Sequence, residues 1–297
     1  SINFTNIFFF FFFSFSFFFF LSFFFSPSLP PFFFFFFFFF FFKKKKVISR
    51  EGGTWGVHGL NVQQPDPSNA ELLRAWVADL GAHVVTAIRP PALVEREIGV
   101  KGQQGNGTNP LQFGNVADIA FDGMRVFMSD GDGGVNNRVV AFDSIKSAQP
   151  AFVVGSAGAG MGQFSSPHSI TFHGPSNTLF IADRGNNRTQ QLAAATGKPL
   201  GEWTCMRPGT PWGVRVLAKD NLLFMADGDT HVVHIFSMAQ VSASGPGPCT
   251  IQQTIPIPPA VCNTPHELAV DEDTGRGWLE GMRRGGGGGG KKNKKKK

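Results

Sequence analysis

Three histidines occupy the same place in three short apolar segments: His58 in "VHGLNV", His168 in "PHSITF" and His266 in "PHELAV". Two similar segments lie between them, "VADIAF" and "PWGVRV", and carry Ala117 and Trp212 at that place. Histidine therefore recurs on alternate copies of one unit. Three neutral imidazoles plus one open position for water or substrate make the protein half of a catalytic zinc site. Imidazole binds metal only when deprotonated, so such a site releases its ion as the pH falls through the histidine range. The competing reading of any one of these residues is a core histidine satisfied by hydrogen bonds. His83, His173, His231 and His234 do not share the register and read as surface or turn residues.

The elements that must position the trio are repeats. "WVADLGAHVV", "FMSDGDGGVNNRVVAF", "FIADRGNNRTQQL" and "FMADGDTHVVHIF" each read as an apolar strand, an Asp, a polar turn and a second apolar strand. The anchoring aspartates Asp79, Asp130, Asp183 and Asp227 stand 51, 53 and 44 residues apart. That period, filled with short strands and Gly/Asn turns, predicts an all-β fold of propeller blades, since one such unit cannot bury both its faces. About four and a half blades are expected, the first lacking its start and the fifth dissolving into "DEDTGRGWLEGMRR". In a six-bladed ring the innermost strands line the axis and alternate blades stand about 120° apart, so the three imidazoles would converge.

The ends carry a different composition. Residues 1–46 hold 26 of the 36 phenylalanines followed by Lys43–Lys46, and residues 283–297 are Arg, Gly and Lys with one Asn. Phe, Lys and Gly are encoded by pure T, A and G runs, so both segments read as low-complexity additions around a domain at 47–282. A membrane or secretory segment at 8–25 is the alternative, although the lysines follow its apolar stretch where a signal peptide has them before it. The whole chain has a net charge of +6, but 12 of its 27 basic residues sit in these ends. The middle has 15 basic against 21 acidic residues, a net of −6, and the reading is no nucleic-acid partner. Cys205, Cys249 and Cys262 contain no C-x-x-C pair. In an oxidising compartment Cys249 could join Cys262 across a short Pro-rich segment; a reduced trio fits equally.

"FSSPHSITFHGPSNTLFIADRGNNRTQQL" and "MSDGDGGVNNRVVAF" resemble NHL repeats. The spaced "HGL", "PHSI" and "PHEL" motifs resemble peptidyl-α-hydroxyglycine α-amidating lyase, whose propeller has six blades. The resemblance implies zinc on His58, His168 and His266, and a structural calcium whose ligands include the Leu60 backbone and the residue after the third histidine, here Glu267 rather than Asp. It implies a secretory setting and a peptide-derived substrate, an α-hydroxyglycine peptide cleaved to amidated peptide and glyoxylate. Arg184, in the "ADR" turn, matches a substrate-binding arginine.

The lyase's catalytic Tyr falls in the turn that here reads Asp130-Gly131-Asp132-Gly133-Gly134, and the chain has no tyrosine. Asp132 could act as a base there; as a turn residue it would instead support "NNR". Arg184 has its own competing reading, an exposed ion pair with the neighbouring Asp183. Two functions follow: a lyase-like zinc enzyme, or an NHL-type scaffold that offers loops to a protein partner. Membrane association follows only from the Phe-rich segment.

Overall fold

In the computed structural model, described for residues 8–10, 56–66, 68–91, 93–260, 262, 264–271 and 277–282, the repeats form successive antiparallel meanders. The short β1 (Phe8–Phe10) is the one described piece of the 1–46 segment; its other residues, and those of 283–297, lie outside the described residues. The chain falls into two compact units, Phe11–Val153, and Val154–Lys297 together with Ser1–Phe10.

The earlier unit holds two four-stranded sheets. The first runs β2 (Val57–Gln63), β3 (Arg74–Asp79), β4 (Val84–Arg89) and β5 (Leu93–Ile98). The second runs β6 (Val116–Asp122), β7 (Arg125–Asp130), β8 (Arg138–Phe142) and β9 (Phe152–Val154). The first repeat was expected to lack its start, yet it is a whole sheet, because Val57–Gln63 supplies the strand that pairs with β3. Trp76, Val85, Phe113, Ile119, Met128 and Val140 fill one core in this unit. Every residue of β3 is buried, as expected for a middle strand covered on both faces, whereas β5 is largely exposed.

The later unit holds β10 (Pro167–His173), β11 (Thr178–Asp183), β12 (Arg188–Ala193) and β13 (Pro199–Trp203) in one sheet. A second comprises β14 (Pro211–Leu217), β15 (Leu222–Asp227), β16 (Val232–Ser237) and β17 (Ile251–Pro256). β18 (Thr264–Val270) and β19 (Gly277–Met282) pair antiparallel, with β1 running parallel to β19. The fifth repeat therefore has a second strand within "DEDTGRGWLEGMRR", where the sequence showed no strand pattern. Trp203 stacks on Phe236 at 5.5 Å and lies 5.2 Å from Phe180, tying these two four-stranded sheets together. Leu217, Phe224, Ile235, Leu268 and Leu279 form a second core beside it.

The anchoring aspartates are the hinges of each repeat. Asp130 is fully buried; its Oδ1 accepts the backbone N–H groups of Gly114 and Asn115 at 2.9 and 3.0 Å. Its Oδ2 accepts Asn136 at 2.7 Å and Arg138 Nε at 2.9 Å. Asp183 repeats the pattern with Ser165 N, Asn186 and Arg188. The second Asn of each "NNR", Asn137 or Asn187, takes the left-handed φ of 53° or 51° that turns the chain into the third strand.

Cys205 and Cys249 are joined by a disulfide, and Cys262 is free and buried. Neither arrangement that the sequence left open, Cys249 joined to Cys262 or a reduced trio, is the one formed; β17 runs extended between Cys249 and Cys262, and its six residues span about 20 Å. Burial pushes the Cys262 thiol up.

Candidate metal centre

All five first strands share one irregularity. The register shifts between Val57 and Leu60, Val116 and Asp118, Pro167 and Ser169, Pro211 and Gly213, and Pro265 and Glu267. A β-bulge at the second residue takes that residue out of the hydrogen-bonded ladder and re-aims its side chain. His58, Ala117, His168, Trp212 and His266 all sit at this point. Alternate histidines thus occupy the point at which the first strand of each repeat leaves the regular ladder.

In the earlier unit, Gly59 allows β2 to approach β6 closely: a Cβ there would stand 2.6 Å from the Ala117 carbonyl oxygen. The same approach brings His58 Nδ1 to 2.9 Å from that oxygen. A carbonyl only accepts, so Nδ1 carries a proton, and in the neutral imidazole Nε2 presents its lone pair. The His58 Nε2 faces Asp132 Oδ2 at 3.8 Å. Of the two readings of Asp132, base or support for "NNR", the structure shows the carboxylate facing His58, while Asp130 accepts from the Asn136 and Arg138 side chains.

In the later unit, His168 is fully buried and its Nδ1 donates to the Trp212 carbonyl at 2.8 Å. His58 and His168 each bond the carbonyl at the same position of the following repeat. The His266 ring lies edge-on to His168, with centroids 4.6 Å apart. Trp212 packs against both, at 5.3 and 5.0 Å. Glu267 Oε1 stands 3.7 Å from His168 Nδ1 and 3.6 Å from His266 Nδ1, while its Oε2 is 3.7 Å from Arg215.

Arg184 was weighed as an ion-pair partner of Asp183, yet the guanidinium on Asp183 is that of Arg188 at 2.7 Å. Arg184 instead lies over Trp212, its Cζ 4.4 Å from the ring centroid, a cation–π contact beside the two imidazoles. Leu60 is half-buried in β2 and pairs with Val77. His83 and His231 are turn residues as expected, with φ of 55° and 58°. His173 and His234 are not. His173 is buried, bonds Ser176 Oγ at 2.6 Å, and is lowered in pKa chiefly by burial. His234 sits in β16 and faces Asp227 at 3.8 Å, two positions beyond Val232, which stands where the two preceding repeats have an arginine. Sequence reasoning missed the Trp212 platform, although Trp212 stands in the register series itself. Arg215 gave no signal.

No protein-family model matches the chain. Among curated proteins, it is 33% identical over 215 residues to NHL repeat-containing protein 3 of Mus musculus, a match covering 67% of this chain and 57% of the relative. The Homo sapiens protein of the same name is 32% identical over 209 residues, with the same coverage. The chain is an NHL-repeat β-propeller. This NHL propeller spans 57% of the length of those relatives. Solved structures share its fold: a streptogramin B lyase at a TM-score of 0.53 and 13% identity, covering 76% of this chain and 62% of that one. A virginiamycin B lyase from Staphylococcus aureus matches at 0.51 and 14%, covering 78% and 66%. At such identities the likeness concerns architecture alone.

Proposed function

We propose that this NHL propeller holds one zinc ion on His58, His168 and His266 and acts, lyase-like, on a small peptide-derived ligand that bears a carboxylate. The observation that carries the reading is the pair of bonds from His58 Nδ1 to the Ala117 carbonyl and from His168 Nδ1 to the Trp212 carbonyl. Metal-ligating histidines commonly donate the other ring N–H to a carbonyl or carboxylate, which fixes the tautomer and leaves Nε2 for the ion. These residues fit zinc by donor type as well.

When bound, zinc supplies Lewis-acid polarisation of a ligand hydroxyl or carboxylate. The chain's own residues do the positioning. The backbone carbonyls hold the imidazoles, Glu267 lies near the Nδ1 atoms of two of them, and Trp212 holds Arg184, whose guanidinium offers a two-pronged grip on a carboxylate. The turn in which the lyase resemblance places a tyrosine reads Asp130-Gly131-Asp132-Gly133-Gly134, so that resemblance's base is missing. That substitution favours a second reading, an NHL scaffold whose loops engage a protein partner.

Elemental analysis tests the first: zinc near one per chain in the wild type and none in His168→Ala. A wild type without zinc overturns it. Incubation with an α-hydroxyglycine peptide then separates the readings, glyoxylate release supporting the lyase and its absence from zinc-loaded protein the scaffold. Calcium on the Leu60 carbonyl and Glu267 is read in the same analysis, as a second ion lost in Glu267→Gln. The Cys205–Cys249 disulfide supports an oxidising, secretory or extracellular setting. Among the described residues no helix is long and apolar enough to cross a membrane.

A further inference from the structure

Three Asn-x-Thr triplets, the acceptor pattern for an N-linked glycan, occur in the chain: Asn3-Phe4-Thr5, Asn106-Gly107-Thr108 and Asn187-Arg188-Thr189. The first lies outside the described residues. The fold treats the other two oppositely. A glycan is bulky and hydrated, so its asparagine must stand at the surface, and the transferase must also reach the threonine hydroxyl.

Asn106 lies in the loop that joins β5 to β6, where residues 101–104, Asn106 and residues 108–110 are all exposed. The loop is held by its main chain. The Gly105 carbonyl accepts Asn136 Nδ2 at 2.8 Å, the Asn106 carbonyl accepts Arg138 Nη1 at 2.8 Å, and the Gly107 carbonyl accepts the Gln112 N–H at 2.9 Å. None of these bonds engages the Asn106 or Thr108 side chain, so a sugar on Asn106 leaves the loop's anchorage intact. Asn187 is the contrast. It is half-buried, its Oδ1 accepts the Thr210 hydroxyl at 3.3 Å, and Thr189 is 1% exposed in β12, paired with Ala182 on one side and Trp203 on the other. Neither end of that triplet stands clear of the sheet.

We propose, resting on the secretory setting that the Cys205–Cys249 disulfide supports, that Asn106 is a site of N-glycosylation and Asn187 is not. The co-reactant is an oligosaccharide carried on a membrane-lipid diphosphate. Asn106 Nδ2 attacks the anomeric carbon of its first sugar. An N–C bond forms as the bond from that carbon to the diphosphate oxygen breaks, and the lipid diphosphate leaves with the electron pair. The amide gives one N–H proton to a base of the transferase and keeps the other.

The full chain, secreted from mammalian cells behind an added cleavable signal sequence, tests this by glycosidase digestion and peptide mass mapping. Digestion is expected to remove a glycan that maps to Asn106, with Asn187 unoccupied; any glycan at Asn3 maps separately. The Asn106 glycan disappears in Asn106→Gln and Thr108→Ala and persists in Thr108→Ser. Thr108→Ala keeps the asparagine and the main-chain bonds of the loop, which separates loss of the acceptor pattern from failure to fold. A product with the Cys205–Cys249 bond formed and Asn106 unoccupied overturns the inference and leaves the secretory setting intact. Occupied Asn106 with both thiols reduced supports the inference and overturns the setting; unoccupied Asn106 with reduced thiols overturns both. A glycan on Asn187 overturns the distinction drawn from burial.

Discussion

Asp227 shows how the loss of the arginine partner, whose place Val232 takes, changes the electrostatics of a buried anchor. Its Oδ1 accepts the N–H groups of Thr210, Asp229 and Thr230 at 3.1, 3.0 and 3.0 Å, but its Oδ2 faces His234 rather than an arginine. Burial pushes the carboxyl up. The His234 imidazole, the Thr230 hydroxyl and the amides of Thr230 and Thr210 outweigh it, and the pKa falls from 3.8 to about 2. A carboxyl lowered on folding stabilises the native state above its unfolded pKa and loses that contribution as the pH falls through the folded value. Stability is therefore expected to drop between pH 4 and pH 2, by on the order of 1–2 kcal/mol from this residue. Urea unfolding from pH 5 to pH 2 checks it: Asp227→Asn is weaker at pH 5 and shows a flatter acid limb. An unchanged limb in the variant refutes the assignment.

The element scale is where the sequence was most legible. An Asp followed by a Gly-containing turn and Asn-Asn-Arg predicted a hairpin, and the residues of that pattern divide the work of building it. The Asp accepts the amides before the first strand, the first Asn and the Arg bridge to the preceding loop, and the second Asn turns left-handed. Arg188 alone reaches the Ala159, Gly160 and Gln163 carbonyls at 2.7, 2.9 and 2.8 Å besides Asp183. Removing it leaves a buried carboxylate without its ion partner, so Arg188→Ala is expected to cost about 3–5 kcal/mol. Asn187→Val, forcing a β-branched residue to a φ of 51°, costs roughly 1–2 kcal/mol, and Asn187→Gly much less. Equilibrium denaturation of the three variants gives the order directly. The register of His58, His168 and His266 was readable because a bulge recurs at a fixed position. The strand Gly277–Met282 was not, since its Gly-rich residues carry no apolar alternation and pairing to β18 makes the strand. Nor was the Cys205–Cys249 bond, which depends on two loops meeting 44 residues apart in sequence.

For the whole molecule, charge belongs to segments rather than to the fold. The chain carries +6, although residues 47–282 have 21 acidic groups against 15 basic ones. Clustered lysines attract polyanions through counterion release, without reading a sequence. Binding of duplex DNA by the full chain at low salt is thus expected, and expected to be a property of its ends. Substituting Gln for the ten lysines at 43–46, 291, 292 and 294–297 takes the net charge from +6 to −4 and leaves every residue of the propeller unaltered. Retention on a DNA column at about 50 mM salt should then vanish, while the thermal midpoint and zinc content stay as they were. If the substituted chain still binds DNA, the propeller itself presents a basic surface that the distribution of its charges along the sequence conceals, and the exclusion of nucleic acid falls with it.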